Sequence, residues 1–165
     1  MKISLFLIYL FLGVQINAQS LTEDISSISG NWTGTLTYLD YSDDLSQSTL
    51  NCSMTAEWKG TKGKIFLQFE EPNGKIYTDK ANFQVLGSGD RIKFDGSKYT
   101  VEHYDIDEDS GYWTLIMVTS GKDNYKSSTI RQSIIFEGEK LSLVKEVKYE
   151  GTQEFFIRNS YVFYR

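Results

Sequence analysis

Lys145 is the sharpest candidate for chemistry, because it interrupts an apolar alternation of Leu141, Leu143 and Val147. An ammonium on a core-facing position is costly unless an acid or a ligand carboxylate pairs with it. The alternative is that only its stem is buried and the charge snorkels to the mouth of the fold. The inward faces read from the same alternation carry Tyr38, Cys52, Met54, Tyr99, His103, Met117, Gln132, Asn159 and Tyr161. A mostly apolar wall with a few donors and acceptors is what a small-molecule site requires. These residues also suit a filled core whose polar groups hydrogen-bond one another.

Catalysis has less to stand on. A nucleophile needs a base held by a third group, and acid–base work needs paired carboxylates in a pocket. The single histidine has no recognisable triad, and the acids fall mainly in turns or on outward faces. No catalytic residue is assigned, although isomerase or cyclase chemistry can run on one or two polar groups that leave no local motif. His103 could ligate haem or a metal, against the competing reading of a neutral, hydrogen-bonded core histidine. Asp105, Asp107 and Asp109 alternate before Gly111, but Ser110 and Ile116 stand where a calcium loop of the EF-hand type needs glycine and glutamate. They read as a solvated turn, and no metal site is assigned. Lys59, Lys62 and Lys64 read as a solvated loop.

Strands must position these side chains. In Ser29 to Tyr41, Trp32, Gly34, Leu36 and Tyr38 share one face, and Thr33, Thr35 and Thr37 share the other. From there, turn residues recur at Ser42 to Ser48, Lys59 to Lys62, Pro72 to Gly74, Gly87 to Gly89, Asp95-Gly96, Asp107 to Ser110, Ser120 to Asn124, Glu137-Gly138 and Glu150 to Gln153. These nine breaks leave ten strands with no room for a crossover helix. The fold expected is all-β: a ten-stranded antiparallel up-and-down barrel with no major helix, closed because closure removes exposed edges. Its wider end should carry the loops Ser42 to Ser48 and Ser120 to Asn124.

Parity predicts Leu50, Cys52, Met54, Ala56 and Trp58 inward on the second strand, then Ile65, Leu67 and Phe69 on the third. It goes on to Ala81, Phe83, Val85, Ile92, Phe94, Tyr99, Val101 and His103, and to Trp113, Leu115 and Met117. A tight Glu137-Gly138 turn sets Ile134 opposite Leu141, and the turn near Gly151 sets Lys145 opposite Asn159. Phe155, Ile157, Tyr161 and Phe163 then point inward together, while Phe66, Tyr104, Phe156 and Tyr164 point out. The last strand runs antiparallel to the first and brings Arg165 onto Trp32, a contact of about 0.5–2 kcal/mol that seals one end.

The 165 residues suffice for one domain with a real core. Lys2, the apolar run Ile3 to Val14 and Ile16-Asn17-Ala18 read as a secretory leader cleaved after Ala18. The organisation expected is thus a leader over 1–18, a tether or single helical turn over 19–30 and the barrel over 31–165. The apolar run is shorter than the roughly 20 residues of a membrane span, so no integral span is expected. Without the leader, Lys and Arg fall from 17 to 16 against 22 Asp and Glu, a net charge of −6. That balance argues against nucleic-acid partners. The single cysteine, Cys52, excludes an internal disulfide and lies too far downstream for a lipoprotein anchor. Asn31 and Asn51 fit the glycosylation pattern, which matters only in a eukaryotic secretory pathway.

Gly30-Asn31-Trp32, with a late arginine packing on the tryptophan, resembles the lipocalin and calycin superfamily, whose barrels enclose small apolar ligands. More narrowly, Trp32 to Tyr41, Gly121 to Asn124 and Arg158 to Tyr161 resemble exported bacterial lipocalin-like proteins. Ten strands come closer to fatty-acid-binding proteins, but the helix pair those proteins insert after the first strand is missing. The G-x-W-x-G of Gly30 to Gly34 also resembles the nitrobindin-like barrel, whose members resemble haem carriers with a histidine near the C-terminus. Here the only histidine is His103, so that ligand does not carry over by position, and no cofactor is expected. The resemblance implies an exported, non-enzymatic carrier of a small apolar ligand. The alternatives are a protein-interaction module with a filled core and a small barrel enzyme.

Overall fold

The computed structural model describes residues 18–71 and 73–165; the leader expected over 1–18 lies, but for Ala18, outside the described residues. A helix, α1 (Ala18–Ser26), precedes ten strands. They are β1 (Gly30–Leu39), β2 (Gln47–Lys59), β3 (Lys62–Glu70), β4 (Ile76–Leu86) and β5 (Arg91–Phe94), then β6 (Ser97–Asp107), β7 (Tyr112–Asp123), β8 (Lys126–Phe136), β9 (Lys140–Tyr149) and β10 (Phe156–Tyr164). Each strand pairs antiparallel with its sequence neighbour, and β1 pairs with both β2 and β10, so the sheet closes into an up-and-down barrel. Among the described residues no helix is long and apolar enough to cross a membrane.

The barrel is stoppered at the end where β1 begins. Trp32 is buried there, its indole N–H donating to the Ile28 carbonyl at 2.8 Å. The Arg165 guanidinium sits 4.6 Å above the Trp32 ring and 5.5 Å from Phe136. It also donates to the Ser27 carbonyl at 3.2 Å. The segment 19–30 supplies most of α1, whose Leu21 and Ile25, with Ile28 just beyond it, are buried in the core. Each such side chain contributes about 1.5–3 kcal/mol on burial. The Asp24 carboxylate accepts from the Tyr104 hydroxyl, which fixes the helix to β6.

Close approach explains one glycine. A Cβ at Gly34 would run into the Val162 carbonyl oxygen, so the β1/β10 seam closes only with no side chain there.

Strand β5 has only four residues, and this shortness shapes the wall. It pairs with β4 only over Phe83–Leu86, and β6 meets β7 only from Thr100 opposite Val118. Toward the open end, β4 before Phe83 therefore lacks a β5 partner, and β7 beyond Val118 keeps only the Thr119 hydroxyl bond to the Lys98 carbonyl of β6, at 2.8 Å. The gap is a side window.

The register departs from the alternation in four places. A bulge between Val101 and His103 inserts a residue into β6 and reverses its parity, so His103 faces out and Tyr104 and Ile106 pack against the core. A second bulge between Ile157 and Asn159 reverses the start of β10, exposing Ile157 and burying Arg158. Phe155 then lies outside, under Arg131 and Lys148, while Phe156 packs on Tyr149. The outer aromatic patch of Phe66, Tyr104, Phe156 and Tyr164 is therefore not formed. The β8–β9 turn spans Glu137 to Lys140, setting Ile134 opposite Leu143 and Phe136 opposite Leu141, a slip of two residues that preserves the faces. Finally, β7 continues through Ser120–Asp123, and the turn is Asn124-Tyr125, both at positive φ.

Candidate functional site

Above the stopper the barrel encloses a chamber of about 310 Å3. Its apolar lining includes Ile65, Leu67, Phe94, Ile130 and Leu143, and its polar lining includes Tyr99, Gln132, Lys145, Asn159 and Tyr161. These five polar residues were read from alternation alone, and the closed β6–β10 wall brings them together. Asp79, Asp95 and Ser97 line the side window. Asp79 faces in because it stands opposite Leu67, and it is exposed because no β5 residue covers it.

The other candidates lie elsewhere. Tyr38, with Asn159, lines a pocket of about 420 Å3 at the mouth, together with Tyr41, Phe69 and Tyr77. Met54 and Met117 are solid core, 1% exposed each. Cys52 is buried between them and the mouth, and burial pushes its thiol up to about 12, so it is an inert packing residue. His103 lies on the outer surface, outside the chamber. No group of three or more His, Cys, Asp or Glu residues placed to hold a metal ion occurs among the described residues.

At the mouth, the chamber's lysine joins an ion cluster that the alternation did not disclose. Lys145 Nζ donates to Asp123 Oδ1 at 2.6 Å. The other oxygen, Oδ2, accepts from Arg158 Nε at 2.9 Å. Arg158 Nη1 also donates to Asp44 Oδ1 at 2.8 Å, and Nη2 donates to the Tyr149 hydroxyl at 2.6 Å. The guanidinium lies between the rings of Tyr41 and Phe156, 4.6 and 4.9 Å from their centroids. Arg158 and the Asp123 side chain are 0% and 1% exposed, so this is a buried cluster whose charges are held by mutual pairing. Lys126 Nζ caps it from outside, 3.1 Å from Asp44 Oδ2.

The same geometry sets proton affinities. The hydrogen bond from Arg158 holds the Asp44 carboxyl down at about 2, against burial. Burial pushes the Tyr99 hydroxyl up; the Gln132 hydrogen bond and the Lys145 charge pull the other way. Burial likewise pushes Tyr161 up. Both phenols are therefore neutral donors at neutral pH, available to a ligand acceptor.

The loops β1–β2 and β7–β8 meet at this open end, where Asn124 Nδ2 donates to the Tyr41 carbonyl at 3.0 Å. Exposed Tyr41, Leu45, Ile76, Tyr77, Tyr125 and Ile157 also lie at this end.

No family model matches the chain, and no curated protein matches it. Among solved structures, Rv2717c from M. tuberculosis aligns with a TM-score of 0.64 at 14% identity, covering 87% of this chain and 95% of its own. At that identity the likeness speaks for the fold alone. The match is to the closed ten-stranded antiparallel barrel.

Proposed function

We propose that this chain is an exported, lipocalin-like binding barrel that carries a small, largely apolar molecule in its chamber and does no chemistry on it. The observation that carries this reading is the chamber itself. Its volume of about 310 Å3 falls at the lower end of the ~300–1,000 Å3 of ligand pockets. Ile65, Leu67, Phe94, Ile130 and Leu143 give it apolar surface, and Tyr99, Tyr161, Gln132 and Asn159 add neutral phenol and amide groups beside a lysine paired with Asp123. Such a surface accepts an apolar body and orients it by a few hydrogen bonds. Cleavage after Ala18 would leave Leu21, Ile25 and Ile28 in place, so the processed chain keeps its stopper.

Native mass spectrometry of the protein from its own host tests this. A stoichiometric small-molecule adduct is expected, released on denaturation and absent from a Leu143→Trp variant that fills the chamber. A clean apo mass in the parent protein, with the same mass behaviour in the filled variant, would overturn the reading.

A further inference from the structure

We propose that the chamber prefers a ligand with a positively charged end, a small amphipathic amine, whose ammonium is held at the side window by Asp79 and Asp95 while its apolar part enters over Leu67 and Phe94. This rests on the chamber being a binding site and adds the class of its ligand.

The argument is a count of unbalanced charge. Three charged residues line the chamber: Lys145, Asp79 and Asp95. The lysine is paired at 2.6 Å with Asp123, itself part of the buried cluster at the mouth. Neither Asp79 nor Asp95 makes an ion pair among the described residues. The one side-chain hydrogen bond found for either of them goes from the neighbouring Lys80 N–H to Asp79 Oδ1. Of the three, the two carboxylates at the window are the ones left without a paired charge.

Backbone geometry holds both carboxylates there. Asp79 is kept inward by its register opposite Leu67, on the stretch of β4 that lacks a β5 partner. Asp95 sits in the Asp95-Gly96 turn at the tip of the short β5–β6 hairpin, both residues at positive φ, with its N–H bonded to the Asn82 carbonyl at 2.8 Å. Their charge reaches the interior as a minor effect: burial dominates at both phenols, Asp79 adds to the proton affinity of Tyr161 after burial and Cys52, and Asp95 adds to that of Tyr99 against the larger opposing pull of Gln132 and Lys145. Phe94 and Tyr99, rings 6.4 Å apart, add π faces that favour a cation over a neutral head. The chain's net charge of −5 draws cations towards it at long range.

The test is calorimetric titration of the purified protein, at low salt and neutral pH, with three probes sharing one ring: 2-phenylethylammonium, 2-phenylethanol and phenylacetate. The ammonium is expected to bind about tenfold tighter than the alcohol, about 1.4 kcal/mol, with the carboxylate weakest. In the Asp79→Asn/Asp95→Asn double variant that preference is lost while affinity for the alcohol is kept. Both positions are exposed, so the variant should keep the parent melting temperature. Equal binding of ammonium and alcohol, tighter binding of the carboxylate, or an ammonium preference that survives the double substitution overturns the charge assignment and leaves the chamber reading standing. Binding by none of the three, in a protein that also carries no native adduct, overturns both.

Discussion

Lys145 and Arg158 share a single carboxylate: Asp123 receives the lysine on one oxygen at 2.6 Å and the arginine on the other at 2.9 Å. The two cations sit opposite and beside Asn159 on adjacent strands, so the pairing ties β7, β9 and β10 together at the mouth. Removing Asp123 would leave two poorly solvated cations without their common partner. Breaking a buried pair in this way costs about 3–5 kcal/mol, because the surviving charge is uncompensated. Asp123→Ala should accordingly lower the denaturant midpoint by that equivalent. Lys126→Ala, which removes an exposed cation from Asp44, should cost no more than about 1 kcal/mol. Equal effects from the two substitutions would show that the cluster contributes no more than a surface pair.

Asp44 makes the cluster acid-sensitive in a defined window. Its carboxyl is held at about 2 by the Arg158 hydrogen bond, against 3.8 for an unperturbed group. A depressed folded-state value means that the charged form is favoured by folding. The contribution is present above about 3.8 and is lost as the pH falls through about 2. The stability difference between the parent and Asp44→Asn should therefore be constant near neutrality and shrink through that interval. Denaturant titrations at several pH values check it, and a pH-independent difference would contradict the assignment.

Most of the architecture was legible because alternation is a strict period of two wherever one face is buried and the other wet. It carried Trp32 to Tyr38, Cys52 to Ala56 and Trp113 to Met117 to their observed faces. A bulge defeats that logic, because one extra residue flips every later side chain and leaves no mark in composition. For that reason the alternation puts His103 inside and gives Arg158 no inward place. Asp123 was hidden differently. Ser120-Gly121-Lys122-Asp123-Asn124 has the composition of a turn, yet Asp123 is in phase with Leu115 and Met117 and belongs to the same inward row. Asp44 reaches the cluster from a loop, where no periodicity speaks. In α1, the signal was the i, i+4, i+7 spacing of Leu21, Ile25 and Ile28 within a polar, serine-rich stretch.

The closed end offers a test of the seal between termini. Arg165 stacks on Trp32 at 4.6 Å and donates to the Ser27 carbonyl at 3.2 Å, so it ties β10 both to β1 and to the segment following α1. Arg165→Ala should destabilise by about 1–2 kcal/mol, from the lost cation–π contact and hydrogen bond. Arg165→Lys should recover only part of this, since an ammonium cannot lie flat on the indole. Urea midpoints for the three proteins decide it; an unchanged midpoint in the alanine variant would remove the seal from the account.

Gly34 tests closure of the barrel itself, because the obstacle to a side chain there is backbone and not a movable neighbour. Its Cβ would meet the Val162 carbonyl oxygen and the Phe163 backbone across the β1/β10 seam. A methyl group can be accommodated only by spreading the two strands that close the sheet. Overpacking of this kind costs about 1–3 kcal/mol. The damage should also be local. In Gly34→Ala, amide exchange should accelerate first at Thr33, Thr35 and their partners Val162 and Tyr164, with β3 and β4 protected as before. Uniform acceleration across all ten strands would mean that the seam does not open separately from the rest of the barrel.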